Sequence, residues 1–338
     1  QAVYAPGIAA LEQWPRWLAE LEADSGITVD YQIQGSVVVA HRADRADLQW
    51  FFDRLHALHD VSTDKFCWMS RTELLALEPE LDGFGEGIYL PHEGCLDNRG
   101  LFAALHQAIH KLGSQWHCGQ NIVDVRGCTI STARPPAVNN IGKANVATTP
   151  STTNIKHSFD LVLDCRGFGG KPQLENFRGV RGEVLWVRAP EVKLSRPVRL
   201  MHPRYQLYIA PKPDNIYVIG ATEIESESLA PVTVRSSLEL LSALYSVHPG
   251  FAEADVLESR SHCRPAFMNN LPKIIREPGL MRVNGLYRHG YLLAPALVNS
   301  VLAIMSGRTA FAPVVVESHF PANGDNYEFD LRHKAVPK

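Results

Sequence analysis

The chain has 338 residues, 45% of them apolar and 20% charged, and 33 Lys and Arg against 36 Asp and Glu leave a net charge of −3. This composition excludes collagen, coiled coil and wholesale disorder, and the length suits about two domains. The near balance of charge gives no electrostatic footprint for nucleic acid or an anionic membrane. The longest apolar stretch, residues 291–305, contains Asn299 and Ser300 and is too short to span a bilayer.

The chain opens at Gln1 in mid-pattern, which we read as the loss of an amino-terminal piece. Leu11, Trp14, Trp17, Leu18 and Leu21 recur at helical spacing. Residues 30–41 are rich in β-branched side chains and predict a strand, and 42–59 an amphipathic helix. Ser70-Arg71-Thr72-Glu73 is a capping box opening a short helix that Pro79 stops. Residues 87–91 predict a strand. Asp97 is placed to cap a helix over 98–112 with the stripe Leu101, Leu105, Ala108 and Leu112. A strand at 121–126 precedes the polar stretch 131–158, read as a flexible surface insertion. The apolar run 159–165, ending in Arg166-Gly167-Phe168-Gly169-Gly170, predicts a strand buried on both faces. Strands follow at 180–187, 198–202, 206–210 and 216–221, with a turn at Lys212-Pro213-Asp214-Asn215. A helix at 232–248, strands at 254–259 and 280–283, and a helix starting near Pro295 complete the pattern.

Several familiar chemistries are excluded. GxGxxG does not occur, and Gly83-Phe84-Gly85-Glu86-Gly87 runs into a strand, so it reads as a turn and not a phosphate cradle. His56-x-x-His59 and His106-x-x-x-His110 have metal-like spacing, but the second lacks the Glu of HExxH and lies beside Gln107 and Lys111. We read both as surface histidines and expect no metal site. There is no GxSxG elbow, and Cys165 has no nearby His in sequence. The six cysteines form no CxxC and read as free thiols of a cytoplasmic protein. Arg264 and Arg288 remain as candidate anion anchors, since a guanidinium grips a carboxylate bidentately and stays charged. Arg288 stands in a glycine-flanked turn ahead of a helix, whose positive dipole end favours a nearby anion.

At these residues the chain resembles a known family. The segments are Gly179-Val180-Arg181-Gly182-Glu183, Leu207-Tyr208-Ile209-Ala210-Pro211-Lys212, Val218-Ile219-Gly220-Ala221-Thr222-Glu223, Arg264-Pro265 and Tyr287-Arg288-His289-Gly290-Tyr291-Leu292-Leu293-Ala294-Pro295. Leu96-Asp97-Asn98-Arg99-Gly100-Leu101 and Asp164-Cys165-Arg166-Gly167 also fit. Together they resemble the D-amino-acid-oxidase superfamily of flavoproteins, most closely the glycine oxidases of thiamine biosynthesis.

The resemblance implies an α/β plus α+β fold. A Rossmann-like FAD-binding domain, without its first βαβ unit and its GxGxxG, would comprise 95–172 and 262–312. It would be interleaved with a mixed-sheet substrate domain of 26–94 and 173–261, and 313–338 would be a tail. Arg264 matches the arginine that pairs with the substrate carboxylate, Arg288 a second substrate contact, and Tyr208 a pocket aromatic. Glu223 falls where some relatives have an apolar pocket residue. Leu286, Tyr287, Arg288, His289, Gly290, Tyr291 and Leu292 match the loop along the flavin edge, and Ile122 a backbone contact to the adenosine part of FAD. The implied reaction is hydride transfer from the Cα of glycine or a similarly small amino acid to flavin N5, with oxygen as acceptor. Its products are an imine or glyoxylate, ammonia and hydrogen peroxide, feeding a thiazole synthase, and the assembly is a homo-oligomer. The other readings are a flavin amine dehydrogenase for sarcosine, proline or D-amino acids, and an inert, flavin-free fragment.

Overall fold

The structure, a computed structural model, describes residues 3–57, 65–133, 154–203, 207–310 and 315–319. Most of the expected insertion, most of the expected tail and His59 lie outside these residues. The fold is mixed α/β. Its residues group into two compact units, 18–108 with 179–263, and 1–17 with 109–178 and 264–338. Each unit is thus assembled from separated stretches of chain. Residues 95–108, which the expected partition joined to 109–172, group here with 18–94. No described helix is long and apolar enough to cross a membrane.

The first unit is built on an eight-stranded mixed sheet. Its order is Asp255–Phe267, Phe177–Arg188, Ile216–Gly220, Leu207–Lys212, Val198–Met201, Ser36–Ala40, Glu86–Leu90 and Cys67–Ser70. Val198–Met201 pairs in parallel with Ser36–Ala40, while Leu207–Lys212 and Ile216–Gly220 form an antiparallel hairpin. At the hairpin tip Asp214 and Asn215 take φ of 63° and 55°, the left-handed pair that Asp and Asn tolerate in a tight turn. Alternate side chains Leu207, Ile209, Leu185, Val187 and Ile219 pack against Leu240, Leu244 and Val247 of the helix Val234–Val247. Burying each such side chain stabilises by roughly 1.5–3 kcal/mol. On the opposite side Val38, Ala40, Ile88 and Leu90 meet Leu48 of the helix Arg45–Ala57. All five residues of Ser36–Ala40 are therefore buried, which is why the valine run shows no alternation.

Local signals explain most of the element ends. Ser70 Oγ accepts from Glu73 N at 3.4 Å, and the Glu73 carboxylate accepts from Ser70 N at 2.8 Å, so the capping box forms. The Asp97 carboxylate accepts from Arg99 N at 3.1 Å and Gly100 N at 2.9 Å, at the start of Asn98–Lys111. That helix buries Leu101, Ala104 and Ala108, whereas Leu105 and Leu112 of the expected stripe are exposed. The strand expected at 30–41 is two, Tyr31–Gln32 and Ser36–Ala40. Gly35 breaks it at φ 76°, where a Cβ would lie 2.2 Å from the Tyr89 ring.

The second unit holds the sheet Val315–Ser318, Lys273–Glu277, Leu280–Asn284 and Val162–Asp164, and a smaller one of Ile122–Arg126, Thr129–Thr132 and Ile155–Ser158. Both flanks of the expected insertion, and part of the expected tail, are thus strand. The run 159–165 contributes only Val162–Asp164, at the sheet edge, with Leu163 47% exposed. It is therefore not buried on both faces. The last helix, Gly290–Met305, packs Leu293, Leu297, Val301 and Ile304 on Ile274 and Met281. It starts five residues before Pro295, which sits inside it. Proline has no N–H to give the Tyr291 carbonyl one turn back, and the Trp14 indole donates to that oxygen instead, at 3.2 Å.

Asp164 joins the parts of this unit. Its carboxylate accepts from Arg166 at 2.8 and 2.9 Å and from Arg282 Nη1 at 2.6 Å. Arg282 also donates to Glu277 at 2.9 Å and to Val125 O, in the smaller sheet, at 3.0 Å. Burial pushes the Asp164 carboxyl up, but its hydrogen bonds and ion pair with Arg166, helped by Arg282, outweigh burial and hold it below the ordinary value. Asp164→Asn leaves two arginines without their shared anion, so it should cost about 3–5 kcal/mol in urea unfolding. A depressed carboxylate stabilises fully above its unfolded pKa of about 3.9, and the effect is lost as pH falls through the lower folded value. The acid limb of the stability curve should therefore flatten in Asp164→Asn.

Candidate functional site

The loop between Leu280–Asn284 and Gly290–Met305 has a conformation set by its own residues. Asn284, 2% exposed, donates through Nδ2 to Gly167 O at 2.8 Å, and its Oδ1 accepts from Gly285 N at 2.8 Å. Gly285 lies at φ 79°, where a Cβ would stand 2.3 Å from the Phe267 ring, so the position excludes other residues. Tyr287, at φ 51°, donates its N–H to Pro265 O at 2.9 Å. His289 N closes the turn on Leu286 O at 2.9 Å, and Leu293 N bonds His289 O as the helix begins.

The Tyr287–Pro265 bond joins the residues next to Arg288 and Arg264. It therefore brings together, within one unit, the two segments carrying the candidate arginines. Arg264 is half-buried within the strand Asp255–Phe267, which runs on well past the expected end at 259. Arg288 is exposed at the turn. Burial, followed by the charge of Arg288, holds the His289 imidazole below its ordinary pKa. The loop is therefore neutral at neutral pH apart from Arg288.

His289, the residue before the helix Gly290–Met305, makes no side-chain capping hydrogen bond. A Cβ at Gly290 would meet nothing within 4 Å, so there is open space at the helix start. Ile122 is half-buried, and its side chain packs on the cluster of Val125, Val162 and Leu280.

Tyr208 and Glu223 belong to the other unit. Tyr208 pairs across the sheet with Gly220 and Arg199, on the opposite face from Leu207 and Ile209. A Cβ at Gly220 would lie 2.5 Å from the Tyr208 ring, so the glycine is what lets the ring lie there. Glu223 is exposed, beside the bridge between Ile224 and Arg181. The pair Arg181 and Glu183, 3% and 0% exposed, was quoted above only as part of a matching segment. Arg181 donates to Glu183 at 2.9 and 2.5 Å and to Ser228 O and Pro231 O at 2.6 and 2.8 Å, fastening the segment beyond Glu223. Burial raises the Glu183 carboxyl, but hydrogen bonds from Ser236 and Arg181 overcome it and hold it low. Asn284 was not foreseen either, although Asn-Gly is a strong turn dipeptide.

Among the described residues no group of three or more His, Cys, Asp or Glu is placed to hold a metal. His106 and His110 are exposed, and His56 stands edge-on to Phe52 and Phe66.

This chain belongs to the DAO family of FAD-dependent oxidoreductases, whose sequence profile matches residues 5–298. It is an FAD-dependent enzyme and a homologue of ThiO. It is 37% identical over 269 residues to the thiamine biosynthesis oxidoreductase ThiO of Rhizobium etli, covering 79% of this chain and 70% of that protein. It is 22% identical to the bifunctional protein ThiO/ThiG of Trichormus variabilis over 83% of its own length and 41% of the relative's. The fold is that of glycine oxidase from Geobacillus kaustophilus, at a TM-score of 0.72 and 22% identity over 97% of this chain and 82% of the other. Iminodiacetate oxidase from Chelativorans sp. BNC1 is similar at a TM-score of 0.71 and 22% identity, over 91% and 81%.

An NMR titration should place the His289 pKa below the ordinary value of about 6.5. Arg288→Gln should raise it without restoring that value, because burial is the larger cause.

Proposed function

We propose that the chain oxidises glycine, or an amino acid of similar size, at its α-carbon, and that the product feeds thiazole formation for thiamine. Kinship with ThiO supports the setting, and the joined ThiO/ThiG organisation of relatives supports a thiazole synthase as consumer of the product. The observation that carries the site is the Tyr287–Pro265 hydrogen bond, which sets the Arg288 loop against the strand of Arg264. We take the unit containing both as the flavin-binding part and the unit of the eight-stranded sheet as the substrate part.

Arg264 would hold the substrate carboxylate as a bidentate, charge-assisted pair. A half-buried guanidinium has less competing water than an exposed one, so it serves as the anchor, and exposed Arg288 as the second contact. Tyr208 and Glu223 would be the substrate part's own contributions to specificity. The backbone of residues 286–292 and Ile122 would hold FAD. Bound FAD supplies the two-electron acceptor. The arginines contribute position, fixing the Cα–H so that the reacting atoms meet without a further orientational search. The products we expect are glyoxylate, ammonia and, with oxygen as final acceptor, hydrogen peroxide. We also propose a cytoplasmic homo-oligomer; all six cysteines are free thiols, as suits a reducing compartment.

In protein supplied with FAD, Arg264→Ala should raise KM for glycine. Losing one partner of such a pair costs about 2–5 kcal/mol, which is about thirty-fold or more in kcat/KM. An unchanged KM would remove Arg264 from the site. Turnover of glycine, sarcosine, proline and D-alanine, with oxygen and with an artificial electron carrier, tests the substrate. Faster reaction of a larger amine, or reduction of the carrier alone, would replace glycine oxidation by an amine dehydrogenase. Purified protein that takes up no FAD would leave neither.

A further inference from the structure

Cys95 and Lys212 meet outside every residue assigned a role above. Cys95 lies in the two-residue strand Cys95–Leu96, which pairs antiparallel with Tyr31–Gln32. Lys212 ends the strand Leu207–Lys212. Its Nζ stands 3.2 Å from Cys95 Sγ and donates to Leu96 O at 2.7 Å. The sulfur in turn reaches Pro211 O at 3.6 Å. Both residues are half-buried, so a small oxidant has access while bulk solvent is partly excluded. The bond to Leu96 O places the amine, and an ammonium has three donors, so it can hold both partners at once.

We propose that Cys95 and Lys212 form a peroxide-responsive cross-link, a sulfenamide joining Sγ to Nζ. Nitrogen and sulfur in contact is the arrangement the chemistry needs, because a sulfenic acid condenses with a nitrogen held beside it. In the first step the Cys95 sulfur attacks one oxygen of hydrogen peroxide. The O–O bond breaks, an S–O bond forms and one water leaves; sulfur is oxidised by two electrons and the peroxide reduced by two. In the second, Lys212 gives a proton to solvent and its lone pair attacks Sγ. The S–O bond breaks as S–N forms, and the hydroxyl leaves with a proton as a second water. Thiol, amine and one peroxide thus become one S–N bond and two waters.

The link would tie the short ribbon of Tyr31–Gln32 and Cys95–Leu96 to the strand that carries Tyr208. It would also protect the thiol from irreversible oxidation, since a sulfenamide is opened again by thiols whereas a sulfinic acid is not. The proposal does not depend on the role given to Tyr208 or on the substrate.

The test is titration of the full chain with hydrogen peroxide, acid quenching, digestion and mass spectrometry, with exposed Cys67 and Cys118 as internal references. The expected result is a Cys95–Lys212 peptide pair lighter by two hydrogens than the sum of its parts, and separated by dithiothreitol. Lys212→Arg keeps a positive charge and a donor for Leu96 O but has no amine able to condense. In that variant the pair should vanish, and Cys95 should pass to the sulfinic and sulfonic acids several-fold faster than in the wild type. Absence of the linked pair from the wild type, with Cys95 over-oxidised as fast as in Lys212→Arg, overturns the proposal. A linked pair heavier by one oxygen overturns the S–N bond. The linked pair is read on the wild-type protein, so the outcome stands even if the variant does not fold.

Discussion

The Asp164 carboxylate, held between Arg166 and Arg282, is the interaction on which the arginine-bearing unit depends. Three charged groups are taken out of water there, and their desolvation is offset because every carboxylate oxygen has guanidinium partners and Arg282 reaches two more acceptors. The bonds run from an edge strand to the neighbouring strand, to the smaller sheet and, through Arg166 and Gln173, to the turn that follows. Gly167 opens that turn, and its carbonyl receives the Asn284 side chain. Asn284 steers Gly285, and the chain beyond it arrives at Pro265. A buried ion pair is thereby coupled, by a short series of hydrogen bonds, to the segments that carry the two candidate arginines.

The unit with the eight-stranded sheet relies on a different principle. Its apolar faces supply the stability, and its most deeply buried ion pair, among the described residues, is local. Arg181 and Glu183 stand two apart on one strand, so they share a face and need no long-range folding event to meet. They gather the carbonyls of Ser228 and Pro231, which gives an irregular segment an anchor in place of strand pairing. The neighbouring glycine, Gly220, lets an aromatic ring lie flat on the sheet. Fixed charge on one side and absent bulk on the other define where Tyr208 and the segment of Glu223 sit.

Much of this was legible in the amino-acid order, and the exceptions have physical reasons. Capping at Ser70 and Asp97 and the Asp214-Asn215 turn depend on neighbours in sequence, so short motifs revealed them. The arginines were found because charge beside a glycine turn is unusual and because several segments matched a flavoprotein family in order. The edge position of Val162–Asp164 was not legible, since an apolar run does not say how many neighbours it will have. The strand Lys273–Glu277 went unseen because Lys, Arg and Glu occupy three of its five positions. The helix start was misplaced because proline commonly marks a first turn, and what made an interior proline tolerable was a tryptophan from a remote part of the chain. The same holds for Asn284 and Arg282, whose partners lie more than a hundred positions away.

That tryptophan has a consequence for how the molecule comes into being. Trp14 and Tyr291 are separated by 277 positions, and Gln13 and Asn299 by 286. Contacts so distant close last, because the loop between them must first lose its freedom. During synthesis the helix Tyr4–Ser25, which carries Gln13 and Trp14, therefore emerges long before the segment that these two side chains bond. The eight-stranded sheet, whose last strand ends at Phe267, lies between these partners in sequence and has time to assemble first.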